Sequence, residues 1–422
     1  MKTVVYSLKG LGHHIFSPIR NFLKDSRSVG IILIVCTGVS LLLANLPATQ
    51  GAYTGFWQKE IHLFNGFIHL PENNLAWIND VLMAIFFFLV GMEIKRELLI
   101  GELKSIRKSL LPVLGALGGM VVPAAIFMLF NSGTLFHKGW GIPMATDIAF
   151  SLGVLSLLGK KVPVQLKIFL AALAIIDDLG AVITIAIFYT SELHLLYLAG
   201  GAGLLAVIIL FNRFNIARPV YYLVPGVLLW YCIFNSGVHA TVAGVMVAFA
   251  MPLNSLAKLE HILHKPVNFF IMPLFALANT AIALPGDFSV VFTSTVSFGI
   301  LLGLIVGKPL GIFLFSFIAT RLKIAALPSH TNYKHLLAVG MLGGIGFTMS
   351  IFTSTLAYSQ EALQVISKVS IISASLVAAF AGYVYFKRLK PAVSPLVSLE
   401  KEREEAVHQY EHYEPVLKPV LQ

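Results

Sequence analysis

The chain has 422 residues, of which 57% are hydrophobic and 12% charged, with a formal net charge of +10. Soluble domains carry about 25% charged residues, so this composition excludes an ordinary water-soluble globule and makes lipid the main solvent. The basic excess is scattered over short connections and not clustered on one face, which argues against a nucleic-acid partner.

The first 27 residues are basic and lack the apolar core and small-residue cleavage site of a signal peptide. They are expected to form a cytoplasmic segment. Apolar runs of about 20 residues, each long enough to cross a hydrocarbon core as a helix, then recur along the chain. In the first half they fall at 28–46, 78–98, 109–130, 140–158, 164–190 and 194–212. In the second half they fall at 218–235, 237–253, 265–284, 298–319, 335–358 and 366–387. The fold class predicted is therefore an all-α polytopic membrane protein of about twelve transmembrane helices. One transporter domain covers 28–387, and a mixed-charge cytoplasmic tail covers 388–422.

Between the first two spans, Asn65-Gly66 separates two β-favouring runs over residues 61–70, a short-range hairpin signal. An isolated hairpin is marginal in water, so this one is expected to rest on the membrane face or pair with a second copy. Asp80 opens the second span, and Glu93, Arg96 and Glu97 close it. Asp147 falls inside span 4, Asp177 and Asp178 inside span 5, His239 at the start of span 8, and Lys308 inside span 10. Glu260, His261 and His264 precede span 9. Cys36 and Cys232 both fall within spans and imply no disulfide framework.

Of 30 Lys and Arg residues, 26 fall on alternate connections and the two ends. Three (Lys59, Lys138, Lys368) are assigned to the other side, and Lys308 to the membrane interior. The positive-inside rule then puts both termini in the cytoplasm. A charge at the bilayer centre costs roughly 2.5–3.5 kcal/mol on insertion scales, so Asp147, Asp177, Asp178 and Lys308 require a reason. One structural ion pair would use one acid and leave two unexplained. Adjacent carboxylates titrate as a coupled unit and offer the oxygen ligands that a small hard cation prefers. Bare they hold sodium; protonated they do not. That competition suffices for exchange at a single site.

Gly141-Ile142-Pro143-Met144-Ala145-Thr146-Asp147 in span 4 and Gly343-Gly344-Ile345-Gly346-Phe347-Thr348 in span 11 loosen the helix ladder in mid-membrane. Irregular backbone at that depth is tolerated where it lines a cavity. Spans 3–5 and 10–12 thus match as two triplets with interrupted middle members. This pattern suggests an inverted repeat whose two broken helices cross at mid-membrane.

In these stretches, and in Phe87-Phe88-Leu89-Val90-Gly91-Met92-Glu93-Ile94-Lys95-Arg96-Glu97, Ala145-Thr146-Asp147-Ile148-Ala149-Phe150, Ala174-Ile175-Ile176-Asp177-Asp178-Leu179-Gly180, Ser236-Gly237-Val238-His239-Ala240-Thr241, Gly307-Lys308-Pro309-Leu310-Gly311 and Gly344-Ile345-Gly346-Phe347-Thr348-Met349-Ser350, the chain closely resembles the NhaA family of sodium/proton antiporters. That family is a standing example of inverted repeats. The likeness covers about residues 28–387.

The resemblance implies an electrogenic, pH-regulated exchanger of the bacterial inner membrane. It would export sodium or lithium for protons in the service of pH and sodium homeostasis, with no cofactor and without enzymatic activity. Asp178 would be the principal sodium ligand, Asp177 would share the site and pair with Lys308 in one state, and Thr146 would add oxygen. Asp147 and Lys308 would compensate the broken helix ends. Glu93, Arg96, Glu97, Glu260, His261 and His264 would sense pH, although the connection from Leu253 to Glu260 is short and sparsely charged. His239 would affect the pH profile, Asp80 would be a structural or pathway acid, and a homodimer would form through the 61–70 hairpin. A sodium-coupled symporter of an organic anion, a passive channel and an intramembrane aspartic protease stand as alternatives. The Tyr-Asp and Gly-x-Gly-Asp settings of such proteases occur at none of Asp147, Asp177 and Asp178.

Overall fold

A computed structural model describes residues 27–61, 69–190, 192–216, 218–329 and 331–389. Most of the predicted hairpin (62–68), the N-terminal segment before Arg27 and the tail beyond Leu389 lie outside the described residues. The chain beside the hairpin forms an isolated antiparallel bridge between Glu60 and Asn73.

The described chain is helical throughout, with no strand among the described residues. Its helices are α1 (Arg27–Asn45), α2 (Gln50–Gln58), α3 (Asn74–Leu99), α4 (Ile106–Asn131), α5 (Ile148–Leu157), α6 (Val164–Phe188), α7 (Leu195–Arg213) and α8 (Val220–Phe234). There follow α9 (Thr241–Ala250), α10 (Leu253–Pro266), α11 (Met272–Asn279), α12 (Ser289–Thr293), α13 (Thr295–Arg321), α14 (Tyr333–Gly343), α15 (Phe347–Ala357) and α16 (Glu361–Arg388). Among the described residues, eight helical stretches are long and apolar enough to cross a membrane, and α14 with α15, bent by 48° at their break, makes a ninth. The apolar block at 218–253 is divided: α8 and α9 are separate helices, joined through Gly237 at φ 90°, a conformation glycine adopts without a Cβ clash.

Among the described residues, three π-turns, Trp77–Leu82, Val267–Ile271 and Gly303–Gly307, interrupt the α-helical ladder. The turn Gly303–Gly307 inside α13 directly precedes Lys308-Pro309. Proline has no N–H and crowds the carbonyl four residues back, and a π-turn accommodates the lost bond. The result aims Lys308 into the interior, where it has no exposed surface.

Small residues bring α4 and α13 into close contact, as expected where lipid tails give no hydrophobic reason for helices to associate. A Cβ on Gly118 would lie 2.2 Å from the Gly311 carbonyl oxygen, and one on Gly311 would lie 2.1 Å from that of Gly118. Neither neighbour is a movable side chain. Gly311→Ala is therefore expected to force the helices apart at a cost of about 1–3 kcal/mol or more, read as an earlier melting transition in detergent.

Lys368, counted from the charge pattern on the side opposite the termini and near the start of the last predicted span, lies inside α16 and is 3% exposed. The helix begins at Glu361, before hydropathy alone would start it. A long alkyl stem lets lysine lie along apolar surface.

Candidate functional site

The two interrupted spans meet through their breaks. In the first, a 3-10 segment at His137–Met144 gives way to extended backbone at 145–147 before α5 begins. In the second, α14 ends at Gly343 and α15 starts at Phe347. The Asp147 N–H donates to the Ile345 carbonyl at 2.7 Å, which pins one break to the other.

Four helix ends converge here, and each finds a partner. Asp147 caps two N-termini at once. Its Oδ1 accepts from the Phe150 N–H at 2.9 Å, and its Oδ2 accepts from the Thr348 N–H at 3.2 Å and from the Thr348 hydroxyl. A carboxylate at a helix N-terminus both satisfies unpaired donors and compensates the positive end of the dipole. Opposite it, the last carbonyls of the incoming segments take cationic or hydroxyl donors. Lys308 Nζ donates to Met144 O, Ser151 Oγ to Leu342 O at 2.9 Å, and Thr146 Oγ1 lies 2.9 Å from Gly343 O.

Helix α6 passes beside this junction and delivers the carboxylate pair. Asp177 Oδ2 sits 2.6 Å from Lys308 Nζ, with both side chains wholly buried, and 2.7 Å from Thr146 Oγ1. The single proton of Thr146 is thus shared between Asp177 and Gly343 O. Asp178 is 1% exposed. Asp177 Oδ1 and Asp178 Oδ1 have no hydrogen-bond partner among the described residues. A buried carboxylate oxygen without a donor is costly, and such costs persist where the group serves a ligand. Carboxylate and hydroxyl oxygens are the donors that a small hard cation prefers.

The predicted site residues therefore converge: Thr146, Asp147, Asp177, Asp178 and Lys308 form one cluster. Hydroxyls that the sequence reading passed over complete it. Thr348 and Ser151 hold the breaks, Ser350 donates to Ile142 O at 2.7 Å, and Ser375 accepts from the Phe347 N–H at 3.1 Å. The signal in the sequence is that Thr146, Ser151, Thr348 and Ser350 stand close to the glycine breaks.

A second cluster joins the end of α3 to α10. Arg96 pairs with Glu260 at 2.5 Å and with Glu97 at 3.1 Å, and Glu93 lies within electrostatic range of all three. His261 and His264 stand on the same helix but are exposed, and His264 contacts Asn268. The structure thus brings four of the six predicted residues together and leaves the two histidines at the rim. Next to them, Lys95 Nζ caps the end of α9 by donating to Phe249 O at 2.7 Å and to Met251 O.

Asp80 and His239, read separately in the sequence, are paired. His239 Nε2 lies 3.5 Å from Asp80 Oδ1, its Nδ1 lies 2.9 Å from Thr241 Oγ1, and its ring packs edge-on against Phe352 of α15. The pair thereby contacts the second broken span.

Comparison with known proteins bears on the same architecture. The chain is 49% identical over 371 residues to the Na(+)/H(+) antiporter NhaA 2 of Flavobacterium johnsoniae, covering 86% of this chain and 91% of that protein. It is 50% identical over 374 residues to the Na(+)/H(+) antiporter NhaA of Cytophaga hutchinsonii, covering 87% and 94%. With the Na(+)/H(+) antiporter NhaA of Escherichia coli O1:K1 it shares 46% over 385 residues, covering 89% and 99%. The sequence model of the family described as Na+/H+ antiporter 1 matches residues 20–386, and the chain belongs to that family.

Proposed function

We propose that the chain exchanges sodium, or lithium, for protons across the bacterial inner membrane by competition at Asp177, Asp178 and Thr146. One observation carries this reading: two adjacent, fully buried carboxylates with donor-free oxygens lie where two broken helices meet. With the carboxylates bare, sodium takes their oxygens and that of Thr146, whose proton then turns wholly to Gly343 O. With the site protonated, sodium has no anionic ligand and leaves. Access to one face at a time converts this competition into exchange.

If two protons leave for each sodium bound, one from Asp178 and one from the Asp177–Lys308 pair, each cycle moves net charge. The potential then contributes about 2.3 kcal/mol per charge per 100 mV. The exchange is electrogenic on this reading and serves sodium and pH homeostasis. Lys308, already bonded to Asp177 and Met144 O, is not free to receive an organic anion, which weighs against a symporter. Asp147 is occupied by two helix caps, which weighs against a protease dyad.

Twelve crossings follow when α8, α9 and the helical run from Leu253 to Asn279 are added to the nine apolar spans. The triplets α4 to α6 and α13 to α16 support an inverted repeat, since the middle span of each is interrupted. The positive-inside pattern supports cytoplasmic termini and puts the Arg96–Glu260 cluster on the cytoplasmic side. A homodimer through the 61–70 hairpin completes the proposal.

Sodium-dependent proton movement in everted vesicles tests the reading directly; wild-type protein without such flux would defeat it. The Arg96–Glu260 cluster is proposed to set pH regulation. Glu260→Gln removes the carboxylate that pairs with Arg96 in a crowded charged cluster, so the activity profile is expected to shift along the pH axis by on the order of one unit. An unmoved profile would assign the cluster to structure alone.

A further inference from the structure

The outer part of the first broken span adds bonds to side chains from elsewhere to its own 3-10 backbone bonds. Tyr358, just past α15, donates its hydroxyl to Phe136 O at 2.8 Å, and Tyr189, just past α6, donates to Lys138 O at 2.8 Å. Tyr189 also accepts from the Gly141 N–H at 3.2 Å. Further along, Ser350 holds Ile142 O and Lys308 holds Met144 O. The glycines make room for the phenols: a Cβ on Gly139 would lie 2.1 Å from the Tyr358 hydroxyl, and one on Gly141 2.7 Å from that of Tyr189. A 3-10 segment has poorer bonds of its own than an α-helix, so these external donors decide where it sits. Its last carbonyl is the one that receives Lys308, the partner of Asp177. A displacement of the segment therefore changes what Lys308 can reach.

We propose that Tyr189 and Tyr358 are positioning residues for the exchange: together they hold residues 136–141 closed over the carboxylate site from the outer face, and their release is the step that opens it. The latch rests on the exchange reading for its purpose, but its geometry can be tested without transport. The background is Cys36→Ser, Cys232→Ser with Ile142→Cys, in right-side-out vesicles treated with a membrane-impermeant maleimide. Tyr189→Phe and Tyr358→Phe are each expected to raise the alkylation rate at position 142 about threefold, and the double variant about tenfold. In exchange assays without the reporter cysteine, the two variants are expected to lower the apparent sodium KM at the outer face and raise it at the inner face. General loosening would move both faces alike and overturn the proposal, as would an unchanged alkylation rate in the single variants if the double variant is not monodisperse. Faster alkylation in a protein without sodium–proton exchange would keep the latch and remove the transport reading.

Discussion

Asp178→Asn is expected to lower sodium-driven proton exchange by at least about a hundredfold, equivalent to about 2.8 kcal/mol, while leaving the fold in place. Asparagine has the same shape as aspartate, and Asp178 Oδ1 has no hydrogen bond to lose. On the proposed mechanism, what disappears is the charge that competes for sodium and the carboxyl that takes up a proton. Both halves of the exchange thus fail together. The comparison is made in everted vesicles from pH 6 to 9, with monodispersity as the control for folding. Full exchange in the variant would remove Asp178 as the obligatory ligand and move the site to Asp177 alone.

Lys308→Met is expected to act on stability as strongly as on transport. The Asp177–Lys308 pair has no exposed surface on either side, and removing one partner of a buried pair typically costs about 3–5 kcal/mol because the other charge is stranded. The Met144 carbonyl loses its donor in the same change. A lower melting temperature in detergent is the predicted observation. Adding Asp177→Asn should recover part of it, since the stranded charge goes with it. The double variant is expected to remain inactive in exchange. If Lys308→Met melts like wild type, the ion pair is not what holds α6 against α13.

The parts legible in the sequence were those where cost is local. A charge in an apolar run announces itself, so Asp147, Asp177, Asp178 and Lys308 were visible before any fold was known. Glycine and proline beside them marked the two breaks, and the compensation of helix ends by Asp147 was implied by the family resemblance. What the sequence did not contain was the pairing across spans. Nothing local says that Asp80 meets His239, that Thr348 closes on Asp147, or that two tyrosines hold a 3-10 segment. Those contacts depend on how helices far apart in the chain are packed. Lys368 illustrates the other limit: its place near the start of the span 366–387 was readable from hydropathy, whereas its burial against neighbouring helices was not.

The cap that Asp147 supplies to two helices, and the bond that Lys308 makes to Asp177, also set an order of assembly. Asp147 and Asp177 enter the membrane well before Thr348 and Lys308 are made. About 130 residues separate Asp177 from its lysine. At translation rates of roughly 5–20 residues per second, the first half waits on the order of ten seconds with its acids unpaired. During that interval the nascent spans depend on the insertion machinery, or on protonation of the acids, to stay in lipid. A ribosome that stalls before codon 308 leaves a half-protein whose ionisable groups have no destination, and membrane quality control would find it there.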